Sequence, residues 1–73
     1  MIEVRFFATL RSGRGKITEV PAEEVSCAGD ILNRFEIPAE EVAILLINGF
    51  HSKPADSVKD RDIISLFPPV GGG

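Results

Sequence analysis

The sequence contains one cysteine, Cys27, and one histidine, His51. A single cysteine excludes an internal disulfide and any cysteine-rich metal or iron–sulfur site. A lone histidine without companions at ligand spacing argues against a metal centre, so we expect no bound metal or cofactor. Residues 1–5 lack the pattern of a signal peptide, and the scarcity of cysteine fits a reducing compartment, which together predict a cytoplasmic protein.

The sequence also lacks long apolar runs, and its basic residues do not outnumber its acidic ones. The longest apolar run, residues 42–47, is far too short to span a bilayer. Eight basic residues, scattered along the chain, stand against eleven acidic ones and give a net charge of −3. We therefore expect neither a membrane nor a nucleic-acid partner, and the mild acidity suits docking to a basic protein.

What is present is enough apolar sequence for one small domain. The 73 residues are 44% hydrophobic, which predicts a single globular domain over 1–73 rather than disorder. Residues 2–8 alternate between apolar and other side chains, which predicts a strand with Ala8 on its core face and Phe7 on the opposite face. Residues 16–20 alternate again after a glycine-rich turn, so the two segments predict a hairpin.

The rest of the chain predicts one helix and three further strands. Ser26 is the expected N-cap of a helix that ends at Ile37-Pro38, and residues 39–42 predict a brief helical turn. The apolar run 43–47 predicts a buried strand, and Asn48-Gly49 predicts a tight hairpin to a short strand at 50–53. The last strand is expected at residues 63–67.

This order of elements predicts an α+β fold in two layers. A mixed sheet of four to five strands would carry one main helix on one face. The right-handed crossover rule places the last strand beside the first and parallel to it.

One face of that sheet is predicted to be apolar and uncovered. Phe7, Ile63 and Phe67 should lie together there, with Phe50 or His51 extending the patch and Arg11 steering partners beside it. Such a patch next to a chain terminus indicates a docking surface. The alternatives are that these phenylalanines only shield the sheet edges, or that the pleat is displaced by one residue, which would reverse every assignment.

The segment 67–73 predicts an extended C-terminal tail. Phe67, Pro68 and Pro69 should be extended because proline restricts its own φ and disfavours helix in the residue before it. After Val70, the residues Gly71, Gly72 and Gly73 carry no side chains and can thread into a narrow active site. We therefore predict that the reactive group of the protein is the α-carboxyl of Gly73.

Four segments carry a resemblance that covers essentially the whole chain, namely Met1 to Arg11, Ile47-Asn48-Gly49, Asp60-Arg61-Asp62 and Phe67-Pro68-Pro69-Val70-Gly71-Gly72-Gly73. In these segments the sequence resembles the ubiquitin-like sulfur carriers and, among them, the small subunit of molybdopterin synthase. The resemblance implies a β-grasp fold. It also implies that a ubiquitin-activating-like adenylyltransferase uses ATP to adenylate the carboxylate of Gly73, which then becomes a thiocarboxylate.

The resemblance further implies that the large subunit of molybdopterin synthase receives the tail. There the sulfur attacks a pterin precursor of the molybdenum (or tungsten) cofactor, so this chain is a sulfur-donating subunit without catalytic machinery of its own.

Two features depart from the molybdopterin pattern and leave alternatives open. Arg61 stands where the family often has glycine, so its turn is expected to be of another type or strained. The middle of the chain is shorter than usual and closer to the thiamine-pathway carriers. The alternatives are a thiamine-type sulfur carrier, a ubiquitin-like modifier conjugated through Gly73, and an interaction module with an inert tail.

Overall fold

The computed structural model describes residues 1–69. The strands and the α-helix are β1 (Ile2–Phe6), β2 (Ile17–Val20), α1 (Ala28–Arg34), β3 (Ile44–Ile47), β4 (Phe50–His51) and β5 (Ile63–Phe67). Short 3-10 turns occupy Ala8–Arg11, Ala22–Glu24 and Ala39–Glu41. Over residues 1–69, no helix has the length and apolar character needed to cross a membrane.

The strands form one mixed sheet in the order β2-β1-β5-β3-β4. β5 lies parallel to β1, with Val4 opposite Ile64 and Phe6 opposite Leu66, and the other neighbouring pairs are antiparallel. The predicted two-layer α+β fold is therefore confirmed, including the parallel pairing of the last strand with the first.

The core lies between the sheet and α1. Alternate residues of β1 and β5 point into it because successive side chains of a strand face opposite sides. The rings of Phe6 and Phe35 meet edge to face, with centroids 5.0 Å apart and planes inclined by 79°. Each fully buried side chain of this size contributes about 1.5–3 kcal/mol to stability. The most buried side chains are Ile2, Val4, Phe6, Val20, Ala28, Ile31, Ile64 and Leu66.

Strand β1 ends two residues earlier than the alternation predicted. Ala8 has φ of 53° and begins a 3-10 turn, and its side chain is exposed rather than in the core. Leu10, in the same turn, is buried instead. The placement of Ala8 on a core face was wrong because the pattern alone does not reveal where a strand turns.

Helix α1 begins at Cys27 as its N-cap, and the predicted N-cap, Ser26, lies one residue outside. The Asp30 carboxylate accepts hydrogen bonds from the backbone N–H groups of Ser26 (2.8 Å) and Cys27 (3.3 Å). These bonds favour the ionised form, so the pKa of Asp30 is lowered, with the bond from Ser26 as the largest cause.

Helix α1 ends at Arg34, before the predicted stop at Ile37-Pro38. The N–H of Ile37 donates to the carbonyl of Leu32 (2.9 Å) and that of Glu36 to Asn33 (3.1 Å), while Glu36 has φ of 56°. This is a Schellman motif with glutamate in the left-handed position usually filled by glycine.

Strand β3 is half-buried, contrary to the prediction of a fully buried strand. Leu45 is buried, whereas Ile44 is 40% exposed, because α1 covers only one face of the sheet. The predicted Asn-Gly hairpin is confirmed: Asn48 and Gly49 have φ of 53° and 84°, the left-handed pair of a type I′ turn.

Candidate docking surface and tail exit

The tail leaves the fold from the centre of the sheet. β5 lies between β1 and β3, and the carbonyl of its last residue, Phe67, accepts from the N–H of Ala43 (2.8 Å). Pro68 and Pro69 follow, and neither has an N–H with which to continue the sheet. The chain therefore separates from its neighbours at Phe67, as the sequence predicted for the start of the tail.

Two aromatic rings stack beside this exit. The parallel register places Phe6 opposite Leu66, so Phe7 and Phe67 follow on the face away from α1. Their ring centroids are 4.2 Å apart and the planes are inclined by 10°. Both residues are half-buried. The predicted pairing of Phe7 with Phe67 on the uncovered face is thus observed.

Arg11 lies on the same corner as Phe7. Its Nε donates to the carbonyl of Phe6 (3.0 Å), and its guanidinium carbon lies 5.8 Å from the centroid of the Phe7 ring. This geometry holds a cation over an aromatic face. It also keeps the charge next to the tail exit, where the sequence placed it.

Two residues of β3 enlarge the apolar surface and were missed. Ile44 pairs with Phe67, and Leu46 pairs with Ser65, so both lie on the uncovered face. Their positions in the strand, alternating with Leu45 and Ile47, were the signal that could have placed them on the uncovered face. The run 43–47 concealed it because a strand with apolar residues at every position has no apparent preferred face. We call Phe7, Phe67, Ile44 and Leu46 the open apolar face.

Two predicted members of the patch, Ile63 and Phe50, are placed differently, and a third, His51, lies where it was expected. Ile63 shares the face but pairs with Glu3 at the other end of β5, about 13 Å from Phe67 at the usual rise per residue. Phe50 pairs with Ile47, and Ile47 lies on the face that α1 covers because it pairs with the buried Ile64. Phe50 is therefore on that face as well and does not extend the patch. His51 pairs with Leu46 and therefore lies on the open side at the sheet edge, where it extends the patch as predicted.

Part of the predicted tail cannot be compared with the structure. Val70, Gly71, Gly72 and Gly73 lie outside the described residues. Pro68 is half-buried and Pro69 exposed, and both line a hollow of about 320 Å³ with Thr9, Leu10, Arg14 and Glu41. The described part of the chain therefore reaches the protein surface at Pro69.

The side chains most often used as metal ligands or nucleophiles lie apart in the described part of the chain. Among residues 1–69, no group of three or more His, Cys, Asp or Glu side chains is arranged to hold a metal ion. Cys27 is half-buried as the N-cap of α1. The arrangement of the open apolar face and Arg11 suits recognition by another protein.

Comparisons with known proteins agree with this architecture. The model of the ThiS family matches residues 4–73. Small archaeal modifier protein 3 of Haloferax volcanii is 31% identical, across 99% of this chain and 98% of its own length.

Two solved structures share the fold. The crystal structure of SAMP1 from Haloferax volcanii superposes with a TM-score of 0.76 at 22% identity, covering 99% of this chain and 98% of its own. A chain in the complex of subunits 1 and 2 of the molybdopterin-converting factor from Helicobacter pylori superposes with a TM-score of 0.64 at 24% identity, covering 99% and 97%. With the sequence match over residues 4–73, these likenesses confirm the predicted resemblance to ubiquitin-like sulfur carriers: the chain belongs to the ThiS family.

Proposed function

We propose that this protein carries sulfur as a thiocarboxylate on Gly73 and donates it to a pterin precursor as the small subunit of molybdopterin synthase. The observation that supports this best is the tail exit, where the sheet ends at Phe67 beside an open apolar face. A partner can hold that face while the segment after Pro69 enters its active site.

The reactive tail needs outside activation because a carboxylate is a poor electrophile. In the proposed route the carboxylate of Gly73 attacks the α-phosphorus of ATP on the activating enzyme, releasing pyrophosphate and forming an acyl-adenylate. A persulfide sulfur of a partner attacks the acyl carbon and AMP leaves. A second thiol then cleaves the sulfur–sulfur bond, which leaves a thiocarboxylate on this chain and a disulfide on the partner side.

The residues near the tail take a binding role in this proposal. Gly72 and Gly73 enter the partner's active site. Glycine is needed at both positions because a side chain there would obstruct a narrow channel. Phe67, Pro68 and Pro69, with Val70 and Gly71, span the distance from the fold to that site. Phe7 and Arg11 contact the partner, as do Ile44 and Leu46.

Two partners follow from this function. The first is a ubiquitin-activating-like adenylyltransferase that consumes the ATP, so this chain needs no bound cofactor of its own. The second is the large subunit of the synthase, and the Helicobacter pylori complex of subunits 1 and 2 of the molybdopterin-converting factor supports that pairing. The proposed location is the cytoplasm, where the thiols of the relay stay reduced.

A second candidate function is protein modification, in which the activated Gly73 forms an isopeptide bond with a lysine of another protein. It is favoured by the 31% identity to small archaeal modifier protein 3 over nearly the whole of both chains. A thiamine-type carrier is a third possibility, with the same activation and a different sulfur acceptor. All three begin with adenylation of the same carboxylate.

The test is to incubate the purified protein with its activating enzyme, ATP and a sulfur source, and then to weigh the intact chain. Sulfur carriage predicts a gain of about 16 Da as sulfur replaces oxygen, and adding the synthase large subunit with the pterin precursor should reverse that gain. Conjugates of higher mass in cell extract would favour the modifier function. No gain, and no conjugate, would overturn both.

A further inference from the structure

The positive charge of this acidic chain is concentrated in one segment. Residues 4–18 contain four of the eight basic residues and no acidic residue, whereas the remainder has eleven acidic residues against four basic ones. The other four basic residues are scattered, at positions 34, 53, 59 and 61. The surface beside the tail exit has the opposite sign to the rest of the molecule.

The fold collects this charge around a shallow groove. The groove has a volume of about 160 Å³ and lies between the end of β1, the 3-10 turn Ala8–Arg11 and the start of β2. Phe7 and Ile17 give it an apolar floor, and Ile17 is 56% exposed. Three cationic side chains form its rim, namely Arg5, Arg11 and Lys16.

Two of the three cations have no acidic partner among residues 1–69. Arg5 forms an ion pair with Glu3, but Arg11 and Lys16 occur in none of the ion pairs between described residues. Arg11 is held in place by its hydrogen bond to the carbonyl of Phe6 (3.0 Å). An uncompensated, positioned cation loses little side-chain entropy when a carboxylate binds it.

We propose that this groove docks an acidic segment of a partner protein, with an apolar side chain on Phe7 and Ile17 and flanking carboxylates on Arg11 and Lys16. This proposal deepens the proposed function, because it states which residue types the partner's contact segment carries. It rests on the proposed function only for the identity of the partner. A nucleic acid fits less well than a short acidic segment, because a long polyanion extends beyond the groove onto the acidic remainder of the chain, which repels its phosphates.

The first experiment titrates the labelled protein with the peptide Glu-Glu-Leu-Glu-Glu and follows backbone amide shifts by NMR. We expect shifts at residues 5–7, 11, 16 and 17 that diminish as salt is raised, because such contacts are screened over about 10 Å at 0.1 M salt. The peptide Gln-Gln-Leu-Gln-Gln should leave these amides unmoved. The double variant Arg11→Glu, Lys16→Glu should abolish the shifts, and the matched variant Lys53→Glu, Lys59→Glu should retain them.

Shifts centred elsewhere, equal binding of the glutamine peptide, or loss of binding in both double variants would overturn the proposal. Tighter binding of a single-stranded oligonucleotide than of the acidic peptide would also overturn it, in favour of a nucleic-acid groove. Because this experiment uses no enzyme, its result is independent of whether Gly73 is activated.

The second experiment compares the same variants as substrates of the activating enzyme. We expect kcat/KM for adenylation to fall at least tenfold in Arg11→Glu, Lys16→Glu, through a higher KM, and to stay within twofold in Lys53→Glu, Lys59→Glu. Equal activity of the two variants would contradict docking through the groove and leave the proposed function intact. Peptide binding without any activation of the wild type would support the groove and count against the function.

Discussion

At the scale of single residues, Phe7 and Phe67 stack on each other and remain partly exposed. Aromatic side chains of this kind carry much of the free energy of many protein interfaces. Their stack, with centroids 4.2 Å apart, presents a flat apolar surface already arranged for a partner. Phe6, one residue earlier, is 1% exposed and belongs entirely to stability.

We predict that Phe7→Asp weakens partner binding by about 2 kcal/mol or more, roughly 30-fold, as for a central aromatic of an interface. The variant should remain folded because Phe7 is outside the core. Binding to the activating enzyme and thermal unfolding measure the two effects. The matched control is Phe50→Asp, which introduces the same charge at an exposed phenylalanine on the opposite face and should bind normally.

Unfolding of Phe7→Asp, or equal losses of binding in the two variants, would show that Phe7 does not act through the open apolar face.

Arg61 has a backbone conformation that is unfavourable for any residue with a side chain. Its φ is 73°, in the left-handed region that costs a residue with a side chain roughly 1–2 kcal/mol. Arg61→Gly should therefore raise the free energy of unfolding by about 0.5–1 kcal/mol, after the extra freedom of glycine in the unfolded chain is subtracted. Urea denaturation measures the change.

The control for Arg61 is Arg61→Ala, which removes the same side chain and keeps the backbone penalty. No gain is expected from alanine. If alanine stabilises the protein as much as glycine does, the side chain rather than the φ angle is responsible.

At the scale of elements, α1 depends on a carboxylate at its start. Asp30 accepts backbone hydrogen bonds from Ser26 and Cys27, and these lower its pKa below the ordinary value of 3.8. A carboxylate whose pKa is lower in the folded state stabilises the fold above its unfolded pKa, and that stability is lost as pH falls through the folded pKa.

We therefore predict that the wild type loses stability below about pH 4 more steeply than Asp30→Asn does. The comparison uses denaturation midpoints measured between pH 2 and pH 6. This range includes the pKa of an aspartate in the unfolded chain and extends below it, where the lowered pKa of Asp30 has its effect. Glu40→Gln removes an exposed carboxylate in a 3-10 turn and should retain the wild-type slope. Parallel curves for wild type and Asp30→Asn would contradict the capping role.

Most elements could be predicted because each has a local cause. The alternation in β1, the Asn48-Gly49 turn and the proline-bounded tail each act over a few residues. The element ends could not be predicted, since the Schellman motif at Glu36 and the turn at Ala8 place residues other than glycine at positive φ. Residue preferences alone give no sign of such positions.

At the scale of the whole molecule, recognition and reactivity occupy separate parts of the chain. The open apolar face and the basic groove belong to the folded domain, and the reactive group is proposed on Gly73. The sequence predicted the aromatic pair Phe7–Phe67 but missed Ile44 and Leu46. Which strands are neighbours, and hence which exposed residues meet, depends on register across the sheet and is not a local property.

We predict that deleting Gly73 leaves the thermal midpoint within about 4 °C of wild type while abolishing activation. Since Gly73 is proposed to act by entering a partner's active site, we expect its loss to leave the core described over residues 1–69 intact, with a change within the usual ±0.5 kcal/mol of a surface substitution. Calorimetry and the adenylation assay test the two parts. A large fall in the midpoint would show that the tail packs on the domain.

The most direct test of the account locates the added sulfur within the chain. After incubation with the activating enzyme, ATP and a sulfur source, cleavage at Arg61 releases peptide 62–73, which contains neither methionine nor cysteine. A gain of about 16 Da on this peptide therefore cannot be the oxidation of Met1 or Cys27, which adds a similar mass. The account predicts that gain, with the sulfur on Gly73. An unchanged peptide 62–73 with the added mass elsewhere in the chain would contradict it.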